Sequence, residues 1–270
     1  MLKAWLELLA ASGWSVPLGE ATWCTTAPDE TQHCSVGVGT ETVKRALRKV
    51  GFKALGVVLT FDNSSESELQ ARISCAWRAF YKYRDLLCCR PAPISRRCKL
   101  LFTLVKTALS WCWGSWNLTG DQLSKLRGAQ LSMMRKMVGL RRQGSEPLRE
   151  YMQRANSKVK QIREQNCVPG WDWLYHRSVY AWGGHVARIG VHDPSRLTSK
   201  TLQFRCHQWL TNVSLYNRGN QLHGRCLHVW RWERPLYKYH TNMDWQNVAQ
   251  NAEYWNAHLD EMASWRCYNR

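Results

Sequence analysis

The 270-residue chain is long enough for one large domain or two small ones, and its 44% apolar content excludes wholesale disorder. Thirty-eight Lys and Arg against twenty Asp and Glu leave a formal charge of +18, which favours polyanionic partners, although charge alone fits a generally basic protein equally well. Eleven Cys, an odd count with no Cys-x-x-Cys, exclude a secreted disulfide framework and point to reduced thiols in nuclear or cytoplasmic surroundings, and no apolar run approaches the ~20 residues of a membrane span.

At the N-terminus, Leu2, Trp5, Leu6 and Leu9 fall at helical spacing and Glu7 interrupts the apolar run. The pattern predicts an amphipathic helix closed by Gly13, not a signal peptide. Residues 14 to 40 are broken by Pro17, Gly19, Pro28, Gly37 and Gly39 and suit short strands and turns. Thr42 to Val50 reads as a brief helical turn or an edge segment. FKALGVVL, Phe52 to Leu59, reads as a hairpin bent at Gly56.

Three helices follow. Ser65 with Glu68 forms a capping-box pattern, after which Leu69, Ile73, Trp77, Phe80, Tyr83 or Arg84, and Leu87 share a face. Pro91 and Pro93 end this helix. Ser95 opens a second helix, basic at first and then apolar through Leu101, Leu104, Val105, Ala108, Leu109 and Cys112. Basic residues in a first turn oppose the helix macrodipole and are tolerable beside an anion. Thr119 with Gln122 is a second capping box, opening a helix with the stripe Leu123, Leu126, Gln130, Met133, Met134 and Met137, ended by Gly139. Between 61 and 142, fifteen Lys and Arg stand against five Asp and Glu, so the three helices read as a bundle with a cationic surface.

Glu146 to Gln165 continues helical with a weak stripe of Leu148, Met152, Val159 and Ile162. In the next segment Trp173, Leu174, Val179, Trp182 and Val186 read as packed. Asp193-Pro194 opens a further helix to about Leu215, and residues 216 to 241 read as a basic loop. Asp244 caps a last pair of short helices, with Trp245, Val248, Ala249, Trp255, Leu259 and Met262 apolar.

The chemistry-bearing side chains form no recognisable catalytic set. None of the eight Asp stands next to another or one residue away from it, so the converging acids of a two-metal polymerase or nuclease site are not present in this sequence. His223, Cys226 and His228 are close in sequence but lack the paired spacing of a zinc site, and packed Cys with surface His is the preferred reading. There is no phosphate-binding Gly-rich loop and no nucleophile elbow. Most of the sixteen Trp read as core. Trp230-Arg231-Trp232 beside Arg225 and Arg234 instead suits stacking on bases and binding of phosphates.

Several motifs in order resemble the non-LTR (LINE-type) retrotransposon reverse transcriptases. FKALGVVLTFD and ELQARISCAWRAFYKYRDLL are similar to that family's Phe-Lys-Tyr-Leu-Gly strand and following helix. The segment from Leu100 to Leu140 resembles its thumb, with LSWCWGSWNL where the family has Leu-Tyr-Gly-x-Glu-x-Trp-x-Leu. WGGHVARI, Trp182 to Ile189, resembles a downstream Trp-x-Gly-His-x-x-Arg, and GRCLHVWRWERPL resembles a C-terminal pattern whose Asp is here Arg234.

The resemblance implies a mainly α fold with a small β portion. Residues 1–60 would be the end of a palm with primer-gripping strands (Phe52, Lys53 and Gly56), 61–142 a three-helix thumb, and 143–270 a helical C-terminal region. It implies a nucleic-acid-binding fragment without the family's paired catalytic aspartates and without a cofactor of its own, although a complete enzyme would need magnesium. RNA or an RNA–DNA duplex is the expected partner, with no membrane and no small-molecule substrate. The thumb contacts would be Arg72, Arg78, Lys82, Arg96, Arg97, Lys99 and Arg127, with Arg225 and Arg231 beyond it. Two alternatives stand beside this expectation: the C-terminal part of an intact RNA-directed DNA polymerase whose N-terminal half lies upstream, and an inert remnant.

Overall fold

The computed structural model describes residues 7–9, 11–13, 22–23, 35–38, 41–45, 52–54, 56–59, 65–116, 118–189, 236, 239–240 and 245–268. They are mainly helical, with two small sheets. The chain divides into two compact units, Met1–Ala71 and Arg72–Arg270.

In the first unit, residues 7–9 are helical, the Ser12 N–H donates to the Leu8 and Leu9 carbonyls, and Gly13 follows at φ +79°. A three-stranded sheet is built from β1 (Thr22–Trp23), β2 (Ser35–Val38) and β3 (Glu41–Arg45). β3 is its central strand, parallel to β1 and antiparallel to β2. This corrects the expectation of a helical turn or edge segment from Thr42. Val43 and Arg45 are buried while Thr42 and Lys44 are exposed, the two-residue period of a strand covered on one face. Residues 46–50 lie outside the described residues.

The expected hairpin is present. β4 (Phe52–Ala54) pairs with β5 (Val57–Leu59) antiparallel, Phe52 facing Leu59 and Lys53 facing Val58, with Gly56 at φ +81° between them. Glu68, assigned by sequence to a capping box, accepts the Val58 backbone N–H at 2.6 Å and is buried. The acid near the start of α1 (Glu66–Lys82) thereby ties the hairpin to that helix. The border between the two units falls within α1. Leu69, Ala76 and Phe80 are its buried apolar positions, while Ile73 and Trp77 are half-buried.

The second unit continues with α2 (Arg84–Leu87) and α3 (Ile94–Leu100), whose first residue Ile94 follows the N-cap Pro93 and lies one residue before the expected Ser95. The helix widens into a π-helical stretch, Leu101–Lys106, and closes as α4 (Thr107–Leu109). Cys112 is exposed at φ +56°, off the stripe that buries Cys98, Leu101, Val105 and Leu109. It precedes a 3-10 turn, Trp113–Ser115, whose Trp113 is buried against Trp116 with ring centroids 6.3 Å apart.

Helix α5 (Gly120–Val138) follows its sequence signals. Thr119 and Gln122 form both bonds of the capping box, Asp121 lies in the first turn, Arg135 and Lys136 in the last, and the expected stripe is buried. Then come α6 (Leu148–Gln165) and α7 (Trp171–Ile189). α8 (Trp245–Gln250), α9 (Ala252–Ala257) and α10 (Leu259–Tyr268) make three terminal helices where two were expected, because Asn251 accepts the Tyr254 N–H and caps a separate turn.

α7 is the helix around which this unit packs. It contacts α5, α8, α9, α10 and the 3-10 turn. Buried Gln130 joins it to α5: its amide donates to the Pro169 carbonyl at 2.9 Å and accepts the Trp171 N–H at 3.0 Å, satisfying an orphan donor at the α7 start. The Tyr175 hydroxyl donates to the Trp116 carbonyl at 2.8 Å and accepts the Leu118 N–H at 3.0 Å. The Trp255 indole donates to the Tyr180 carbonyl at 2.9 Å.

Two expected core positions of this region are solvent-facing. Leu148 is 63% exposed because it stands at the first residue of α6, and Trp182 is 46% exposed. The buried stripe of α7 runs instead through Trp171, Tyr175, Val179, Tyr180, Gly183 and Gly184. Among the described residues no helix is long and apolar enough to cross a membrane.

Gly184 lies where the Trp255 indole crosses α7, and a Cβ there would collide with the indole nitrogen and its neighbouring carbons. Gly184→Ala is therefore expected to lower stability by roughly 1–3 kcal/mol through overpacking, read as a reduced midpoint in urea, although alanine is the better helix former. Gln130→Leu leaves both the Pro169 carbonyl and the Trp171 N–H without their partner. It is expected to cost about 2–3 kcal/mol in the same measurement.

Candidate nucleic-acid interface

An open groove of about 680 Å³ lies between the α1–α2 region and the end of α5. Its cations are Arg84, Arg90, Arg135, Lys136, Arg141 and Arg142, and among the described residues no Asp or Glu lines it. Tyr81, Tyr151 and Cys88 also face it.

The end of α5 shapes the groove. Gly139 takes φ +80°, the Gly139 N–H donates to the Lys136 carbonyl at 3.1 Å, and the Leu140 N–H donates to the Arg135 carbonyl at 3.0 Å. This is a Schellman ending, which a residue with a Cβ adopts only with strain. It turns the chain so that Leu140, Arg141 and Arg142 line the groove beside Arg135 and Lys136. The Met137 carbonyl is taken by Arg97, whose Nη1 donates to it at 2.7 Å while Nε donates to the Ala92 carbonyl at 3.1 Å.

The segment after Leu140 is held by a second set of bonds. Arg154 donates to both Glu146 carboxylate oxygens at 2.8 Å and to the Arg141 carbonyl at 3.1 Å. The Gln143 N–H donates to Glu146, and Arg142 Nε donates to the Glu146 backbone carbonyl. The Tyr151 hydroxyl donates to the Leu140 carbonyl at 3.0 Å. The Arg154 bonds first, then the Gln143 N–H, hold the Glu146 carboxyl down at about 2.

These bonds divide the lining cations. Arg135 donates to the Asn156 side chain, and Arg142 is committed to Glu146. The side chains of Arg84, Arg90, Lys136 and Arg141 have no carboxylate partner among the described residues.

None of the ten expected site residues that lie among the described residues lines this groove. Lys53 is exposed on β4 beside Phe52, and Gly56 is exposed at the hairpin bend, all in the first unit. Arg78, Lys82, Arg96 and Lys99 are exposed helix-surface cations; Arg78 contacts Cys75 at 3.0 Å, and Lys82 sits 5.3 Å from the Tyr83 ring. Arg72 is half-buried on α1. Arg127 donates to the Leu123 carbonyl and Ser124 hydroxyl and pairs with Asp172 at 3.6 Å.

Arg97 is a correction. It is 9% exposed and caps α5, so its guanidinium is withdrawn from any phosphate. The anion that makes a basic start to α3 tolerable is the carbonyl end of another helix. Arg225 and Arg231 lie outside the described residues, as do His223, Cys226 and His228. Among the described residues no three His, Cys, Asp or Glu side chains gather closely enough to hold a metal ion.

Compared with protein-family models, curated proteins and solved structures, the chain matches none.

The Glu146 loop gives a pH prediction. The folded carboxyl lies below its ordinary value, so loop closure is complete above the ordinary carboxylate range and is lost as pH falls through about 2. In an NMR titration Glu146 is expected to show its midpoint near pH 2. Arg154→Ala is expected to return that midpoint towards the ordinary Glu range.

Proposed function

We propose that this chain binds RNA or an RNA–DNA duplex as the thumb-bearing C-terminal part of a protein similar to non-LTR retrotransposon reverse transcriptases. The observation that carries the binding is the groove with six cations and no acid among its described lining residues, the side chains of four of those cations having no hydrogen-bond or carboxylate partner among the described residues. A duplex backbone is the dense linear polyanion such a surface suits, since its charge repeats every ~1.7 Å along the axis. The capped helix of Thr119–Gly139, the hairpin at Gly56 and the order of the sequence motifs support the resemblance.

Among the described residues the Asp side chains do not gather into a magnesium pair. Asp172 is committed to Arg127 and Asp260 to Arg177, and Asp85 and Asp121 are exposed on separate helices. The role we assign to this chain is to hold nucleic acid. Exposed Arg78, Lys82, Arg96 and Lys99 would extend the cationic surface beyond the groove.

Fluorescence anisotropy with a labelled RNA–DNA hybrid tests the reading. Each phosphate contact contributes a slope of about −0.9 in log K against log salt, so four unpaired cations predict a slope of roughly −3 to −4. Replacing Arg84 and Arg141 by Gln is expected to flatten it by about 2. A salt-independent affinity would sink the proposal.

A further inference from the structure

The groove carries an aromatic feature that backbone binding does not use. Tyr81 lines it and is 53% exposed. Its ring is stacked on Trp77, with centroids 5.7 Å apart and planes 27° from parallel, and it meets Phe80 edge-on at 5.8 Å. Trp77 and Phe80 thus hold the ring on one side while the rest of it stays open to solvent. The other lining aromatics are engaged: Phe80 is buried, and Tyr151 is bonded to Leu140 with the Arg154 guanidinium 5.7 Å from its ring.

One helical turn after Tyr81 stands Arg84, with Arg90, Lys136 and Arg141 around the same groove. A pre-fixed aromatic beside several unpaired cations matches the chemistry of an unpaired nucleotide, a π-face for the base and cations for the phosphates on either side. A closed duplex offers phosphates and sugars to such a surface but keeps its base faces stacked. At about 680 Å³ the groove lies in the ~300–1,000 Å³ range of sites that enclose a ligand.

We infer that the groove receives a single-stranded segment of nucleic acid, one base stacked on Tyr81 and the neighbouring phosphates on Arg84 and Arg141. The inference rests on the proposed nucleic-acid binding and adds which form of nucleic acid enters. Removal of the ring distinguishes this role from one in which Tyr81 only covers Trp77 on the helix surface.

The test is anisotropy with three probes at fixed salt: an unpaired oligonucleotide, a blunt duplex of the same length, and the duplex with an unpaired overhang. The unpaired and overhanging probes are expected to bind more tightly than the blunt duplex. Tyr81→Ala is expected to weaken those two by roughly 5- to 150-fold while leaving the blunt duplex unchanged, and Tyr81→Trp to retain the preference. Thermal melts of each variant establish that the fold is kept. Equal binding of all three probes, or an equal loss on all three with Tyr81→Ala, overturns the single-strand inference. If Arg84→Gln with Arg141→Gln still weakens every probe in that case, nucleic-acid binding itself stands. Absence of binding to any probe overturns both.

Discussion

The unpaired carbonyls at the end of α5 are the constraint on which the surface of the second unit depends. A helix leaves its last carbonyls without intrahelical partners and concentrates roughly half a negative charge there. In this chain the Gly139 turn and Arg97 answer that demand, covering the Arg135, Lys136 and Met137 carbonyls. Once they do so, the remaining cations at this end have nothing left to neutralise. Arg135 and Lys136 favour the dipole from the last turn, but half a charge cannot offset them together with Arg84, Arg90, Arg141 and Arg142. The surplus is held in place by neutral or distant bonds: Arg135 by Asn156, Arg141 through its carbonyl by Arg154. A folded protein that gathers like charges without interleaving acids accepts self-repulsion, and an external polyanion relieves it.

The groove is positioned by a core that ignores the sequence border near Arg142. α5, expected in a thumb bundle, packs on both α6 and α7. Gln130 bonds to the start of α7 across 39 and 41 residues of chain. Buried indoles then extend this core to the terminal helices, with Trp255 seated over Gly184 and bonded to the Tyr180 carbonyl. The Trp-Gly-Gly-His segment thus has a packing reason: at Gly184 the missing Cβ lets an indole reach a helix carbonyl. The C-terminal helices, net acidic in sequence, bury their apolar residues on α7 and leave the cationic role to the region around α5.

Much of this fold was legible in the sequence where one local signal dominated. The α5 boundaries followed from Thr119, Gln122 and Gly139 because a capping box and a left-handed glycine act within four residues of themselves. The Gly56 hairpin was readable for the same reason. The stripe of α1 shifted because Ala76, too small to weigh in an apolar count, is buried where the larger Ile73 and Trp77 are only half covered. Trp182 was read as packed on its hydrophobicity, but the orientation of α7 is fixed by partners from 61 to 91 residues away. No spacing rule carries that information. The π-helical widening at Leu101–Lys106 likewise has no signature in LFTLVK.

The site shows the same limit more sharply. Sequence marks which residues are charged, while the structure decides whether a charge is already used. Arg97 and Arg84 look alike in sequence, each lying in a short helical piece. Arg97 is buried because two carbonyls lie within its reach; Arg84 is exposed and forms no ion pair among the described residues, although Asp85 follows it in the chain. The Arg141-Arg142 pair after a helix-ending glycine was the available clue, since a chain turned by a Schellman ending returns past its own last turn. Two cations just beyond such a glycine then lie beside two in that turn, whatever the rest of the fold does. That juxtaposition is local, and it makes the end of α5, more than the exposed faces of α1 and α3, the place where positive charge converges among the described residues.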